Sequence, residues 1–136
     1  MKKLVYVACF YPWEGKKNGY TVEIPDLTGC VTEGRNLEEA IDIAIDCASG
    51  WILDNIESGE DIPKPSDIKD IKLEYKNGFS SFIVLDIDEY ERTHSNKSVK
   101  KTLSIPNWLN TLAEREKLNF SQILQEGLKN KLNLVK

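Results

Sequence analysis

The sequence predicts an α+β chain in two parts. A sheet-and-helix domain spans residues 1–88, a polar linker spans 89–97, and a β-α-α tail spans 98–136. Three observations predict this. Alternating or Val/Tyr/Phe-rich runs, separated by Gly, Asn and Pro clusters, dominate the first part. One apolar stripe at helical spacing interrupts them. The charge also divides: residues 1–90 hold 9 Lys/Arg against 18 Asp/Glu, net −9, and residues 91–136 hold 9 against 4, net +5. With 136 residues, 40% of them hydrophobic, there is enough chain and apolar content for a core.

The elements follow in order. Leu4 to Tyr11 reads as a strand. Its basic, apolar beginning could suggest a leader, but Tyr11-Pro12-Trp13-Glu14 follows in place of a small-residue cleavage site. The turn Gly15-Lys16-Lys17-Asn18-Gly19 joins it to a second strand, Tyr20 to Ile24. Pro25 to Gly29 is a turn, and Cys30 to Gly34 is a short third strand. Asn36 caps a helix, with Glu39 three residues on, that runs to about Glu57. Its stripe is Leu37, Ala40, Ile41, Ala44, Ala48, Trp51 and Ile52. After a loop at 58–66, strands at 71–75 and 79–87 flank Lys76-Asn77-Gly78, a hairpin signal. The first domain is then β-β-β-α-β-β, with the helix on one sheet face.

In the tail, Val99, Leu103 and Ile105 alternate with Lys100, Thr102 and Ser104. Pro106 stops this strand, and two helices follow. A lone strand cannot pair its own backbone groups, so a second copy of the chain is the simplest partner. That arrangement is a dimeric ribbon-helix-helix, which reads DNA with a two-stranded ribbon. Leu103, Ile105, Trp108, Leu112, Leu124 and Leu128 would form the dimer core. Lys100, Thr102 and Ser104 would read base edges. Asn119 would cap the second helix, with Gln122 three residues on, leaving the N–H groups of Phe120 and Ser121 to meet a phosphate.

The segment Tyr20–Ala40, centred on Pro25-Asp26-Leu27-Thr28-Gly29-Cys30-Val31-Thr32-Glu33-Gly34-Arg35-Asn36-Leu37-Glu38-Glu39-Ala40, resembles the HicB antitoxin family. That family has a Pro-Asp-hydrophobic-x-Gly-Cys turn, a Thr-x-Gly step and a capped helix carrying Glu-Ala. Thr28 departs from it, since proline is common there. Leu103 to Leu109 and Asn119 to Leu124 resemble the ribbon-helix-helix tail of many members. The resemblance implies a type II toxin–antitoxin system. It implies a partial RNase-H-like first domain that binds a small, basic, HicA-like ribonuclease toxin, and a tail that binds the operator of its own operon. A homodimer or higher oligomer is expected.

No catalytic or metal site is expected, and no cofactor. Asp86 and Asp88 would share one side of a strand, but neither Asp26 nor Glu33 is placed beside them. His94, the only histidine, falls in the linker without a nucleophile. Three cysteines without a C-x-x-C pair read as reduced thiols of a cytoplasmic protein, and no apolar run is long enough to span a membrane. Two other readings stay open. One is a stand-alone ribbon-helix-helix regulator whose acidic domain senses a ligand, and the other is a hydrolase on an RNase-H-like scaffold.

Overall fold

The computed structural model describes residues 3–15, 18–94 and 98–134. The chain forms two compact units, Met1–Asn96 and Lys97–Lys136.

In the first unit, β1 (Leu4–Pro12), β2 (Tyr20–Glu23), β3 (Val31–Gly34) and β4 (Phe79–Leu85) build one sheet in the order β3-β2-β1-β4. Every neighbouring pair is antiparallel. The expected turn between β1 and β2 includes Lys16 and Lys17, which lie outside the described residues. Side chains alternate across the pleat. Tyr6, Ala8 and Phe10 face the main core with Val22, Ile24, Ile83 and Leu85. Phe10 stands opposite both Val22 and Phe79, and its ring stacks on Phe79 at 5.2 Å. As an inner strand, β1 also buries Val7, Cys9 and Tyr11 on the opposite face.

The helix α1 (Leu37–Glu57) covers the core face. Asn36 caps it as the sequence predicts, its side chain accepting from the Glu39 N–H at 2.9 Å. Ala40, Ala44, Ala48 and Ile52 face inward four residues apart, and the small side chains let the helix lie close to the sheet. Leu37, expected on this stripe, is exposed, whereas Ser49 and Leu53 are buried.

Three expectations about the elements after α1 in this unit need correction. The strand at 71–75 is absent: a 3-10 turn at Ile68–Asp70 precedes it, and Ile71–Tyr75 joins no ladder. The Asn77-Gly78 signal therefore makes no hairpin. The edge of β1 pairs with β4 instead, from Leu4↔Leu85 to Phe10↔Phe79. Residues 74–75 are held by side chains, with Tyr11 Oη accepting from the Glu74 N–H at 3.0 Å and the Tyr75 ring edge-on to Tyr11. Second, the strand expected to reach residue 87 ends at Leu85. Third, the linker expected at 89–97 is helical over most of its length, because α2 spans Ile87–His94. Asp86 caps this helix: its Oδ1 accepts from the Glu89 N–H at 3.1 Å and its carbonyl from the Tyr90 N–H. Ile87 anchors α2 in the core, with Tyr90 packed beside it. Residues 95–97 lie outside the described residues.

The second unit contains α3 (Asn107–Arg115) and α4 (Phe120–Lys131). The strand expected before Pro106 is not formed, since residues 98–105 have no ladder neighbour among the described residues. A strand exists only through its partner, and one copy of the tail supplies none.

α1, α3 and α4 all end in the same way. The N–H of the second residue past the cap donates to the carbonyl five residues back, in Glu60→Asn55, Leu118→Ala113 and Leu134→Lys129. The residue before it takes positive φ: Gly59 at 75°, Lys117 at 54° and Asn133 at 59°. These are Schellman caps.

Candidate functional site

The first unit is organised around the turn at Pro25–Cys30. The Ile24 N–H donates to the Cys30 carbonyl and the Cys30 N–H to the Leu27 carbonyl, closing the turn on itself. Gly29 has φ +81°, which an L side chain rarely adopts. Three contacts then tie the turn down. Asp26 accepts from the Ser66 N–H at 2.7 Å and from the Ser66 hydroxyl at 2.6 Å. Trp51 Nε1 on α1 donates to the Thr28 carbonyl at 3.0 Å. Cys30 Sγ lies 3.4 Å from Cys47 Sγ, also on α1. Burial, and secondarily its contact with Cys47, pushes the Cys30 thiol up to about 12, so it stays protonated. Gly34 matters by proximity rather than by φ: a Cβ there would stand 2.4 Å from the Ala40 backbone nitrogen. The motif thus docks the start of α1 onto β3.

Two surfaces of this unit are available to partners. On α1, Glu38, Asp42 and Asp46 are exposed at four-residue spacing, and the helix contains no Lys or Arg. Like charges at this spacing oppose the helix that carries them, offset in part because Glu38 lies in the first turn and Asp46 stands beside His94. On the other side of the sheet, Val5 lies opposite Val84, and both are about half exposed. Phe82, opposite buried Val7, is 56% exposed.

The acidic residues weighed as metal ligands do other work. Asp86 caps α2, Asp88 lies in its first turn, and Asp26 holds Ser66. Glu33 lies on β3 at the opposite end of the sheet order from β4. Among the described residues no group of three or more His, Cys, Asp and Glu is placed to hold a metal. His94 ends α2 and is part of its joint with α1. Its ring stacks on Tyr90 at 4.0 Å, and its Nε2 lies 3.3 Å from Asp46 Oδ1. Burial raises the Tyr90 pKa, and Asp46 and Asp54 push it further up. An open groove of about 670 Å³ lies beside Tyr11, Trp13, Thr21 and Tyr75. Two of the polar groups on its wall are paired: Trp13 Nε1 donates to Thr21 Oγ1, and Tyr11 Oη accepts from the Glu74 N–H.

In the second unit none of the described residues is buried. Leu103 is 62% exposed and Trp108 65%, and Ile105, Leu112, Leu124 and Leu128 are also exposed. Lys100, Thr102 and Ser104 are exposed in the irregular segment before Pro106. Asn119 caps α4, its Oδ1 accepting from the Gln122 N–H at 3.0 Å, so the Phe120 and Ser121 amides open the helix.

A family model for the HicB-like antitoxins of bacterial toxin–antitoxin systems matches residues 6–126, which includes parts of both units. The chain belongs to the HicB-like antitoxin family. It is 32% identical over 106 residues to an uncharacterised 14.9 kDa protein from the rep-hol intergenic region of Haemophilus phage HP1, covering 76% of this chain and 74% of that one. It is similar to a chain of a toxin–antitoxin complex from Streptococcus pneumoniae, with TM-score 0.62 and 30% identity over 96% of this chain and 99% of the other. The antitoxin HicB of Burkholderia pseudomallei shares the fold, with TM-score 0.54 and 20% identity over 98% and 99%. The four-stranded antiparallel sheet and the four helices among the described residues thus match these solved structures. No helix among the described residues is long and apolar enough to cross a membrane.

Proposed function

We propose that this antitoxin neutralises a small basic ribonuclease of the HicA type with Met1–Asn96, and represses its own operon through Lys97–Lys136. The observation that carries the reading is the family match across both parts of a chain whose charge divides between them, −9 before residue 91 and +5 after it. An RNA-cleaving toxin needs a basic face for phosphates, and the acidic row on α1 would steer such a face toward it. Neutralisation then requires coverage rather than catalysis, on a partial RNase-H-like scaffold used only for binding. On this reading the protein acts in the cytoplasm.

The tail's exposed apolar residues support dimerisation. Two copies pairing residues 99–105 would complete a ribbon, bury Leu103, Ile105, Trp108, Leu112, Leu124 and Leu128, and turn Lys100, Thr102 and Ser104 toward bases. The cap at Asn119 would set the Phe120 and Ser121 amides at a phosphate.

Full-length Leu103→Glu tests the division of labour. Expressed with the toxin encoded beside it, the variant should still rescue growth while losing operator binding and promoter repression. Growth arrest with abundant, folded variant would show that neutralisation needs the tail. Intact repression would remove the ribbon from the reading.

A further inference from the structure

The two thiols at the motif turn take no part in the binding reading. Cys30 is buried at the end of the turn, and Cys47 is half-buried on α1. They come from different elements, 17 residues apart in sequence, with sulfurs in contact at 3.4 Å. A disulfide needs about 2.05 Å, so the two sulfurs must approach by roughly 1.4 Å to close it. The backbones are already held together here, because Trp51, one turn further along α1, bonds the same turn at Thr28. The third cysteine, Cys9, is buried on the other sheet face, opposite Glu23, and does not compete.

We propose that Cys30 and Cys47 are a hydroperoxide-responsive thiol pair that closes into a disulfide between the motif turn and α1. Cys47 is the more accessible and meets the oxidant first. Its thiolate sulfur attacks one peroxide oxygen, the O–O bond breaks, and the product is a sulfenic acid and hydroxide, which takes up the thiol's proton to become water. The Cys30 sulfur then attacks the Cys47 sulfur. The S–O bond breaks, and the Cys30 proton leaves with the hydroxyl as a second water. Two thiols are oxidised and one peroxide is reduced. The buried, protonated Cys30 makes the second step slow but shields the product from solvent.

The test uses the full chain, reduced and then treated with hydrogen peroxide. Thiols counted in denaturant should fall from the three free cysteines to one, with one cross-linked peptide pair that has lost two hydrogens. Dithiothreitol should restore all three. The melting temperature of the first unit should rise by on the order of 10 °C in the oxidised form. Cys47→Ala should abolish both changes. Since Cys47 is only half-buried, this variant should fold, and its reduced melting temperature checks that it does. The proposal is overturned if three thiols persist, if Cys47 is lost alone as a sulfinic acid while Cys30 stays free, or if the cross-link joins two chains.

Discussion

Asp26 and Ser66 are 40 residues apart and share two hydrogen bonds, at 2.7 and 2.6 Å, through both carboxylate oxygens. The acidic residue of the family turn is therefore a clasp for the loop after α1. Asp26→Ala should cost about 1–2 kcal/mol and leave both Ser66 donors without this acceptor. Thermal unfolding gives the loss, and limited proteolysis should move cleavage into residues 58–66. Ser66→Ala, which keeps the backbone bond, should lose less.

Gly34→Ala should be the most damaging small substitution in the motif. Its new Cβ would meet the Ala40 backbone nitrogen at 2.4 Å, and neither β3 nor the first turn of α1 can yield cheaply. A loss of roughly 3 kcal/mol or more is expected in urea titration. Gly29→Ala has open space and only the cost of positive φ, about 1–2 kcal/mol.

Lys117→Gly should stabilise the tail. Lys117 sits at φ 54° in the Schellman cap of α3, where glycine avoids the Cβ penalty. The gain should be about 1 kcal/mol, seen as a higher midpoint for the helical signal of the second unit.

Charge reversal on α1, Glu38→Lys with Asp42→Lys, should slow association with a basic toxin about tenfold at low salt. Dissociation should change less, and the difference from the native chain should shrink as salt rises. Stopped-flow mixing measures both rates. Equal association rates at low salt would mean that this row does not steer the encounter.

Replacing Lys100, Thr102 and Ser104 together by alanine should remove operator preference while the dimer persists. Loss of the Lys100 charge, which the reading also sets near a flanking phosphate, should lower the slope of log affinity against log salt by about one. Competitive gel shifts with operator and random duplex DNA separate the two effects.

Much of the first unit was legible from local chemistry. The Asn36 cap, the length of α1 and the strands β1 to β3 follow from spacing and turn residues alone. Local rules failed where a tertiary partner decided the outcome. Asn77-Gly78 is a hairpin signal in isolation, yet the open edge of β1 takes β4 and leaves 71–75 held by Tyr11. The run Glu89–His94 looks unpatterned because few of its contacts are apolar. Ile87 and Tyr90 anchor it while His94 meets Asp46. Of the motif, the turn could be read but its tethers could not: nothing local connects Asp26 to Ser66 or Thr28 to Trp51. The contact between Cys30 and Cys47 was likewise hidden, since their spacing fits no known cysteine pattern.

A tail that buries none of its described residues by itself has one further consequence. If it orders by pairing with a second copy, as proposed, its ordered form grows with the square of chain concentration while copies are scarce, so halving the protein would leave about a quarter of the pairs. A repressor of that kind would act as a gauge of its own abundance. A modest fall in antitoxin, by proteolysis or dilution through growth, would release the promoter in greater proportion and restore supply before the toxin is left uncovered.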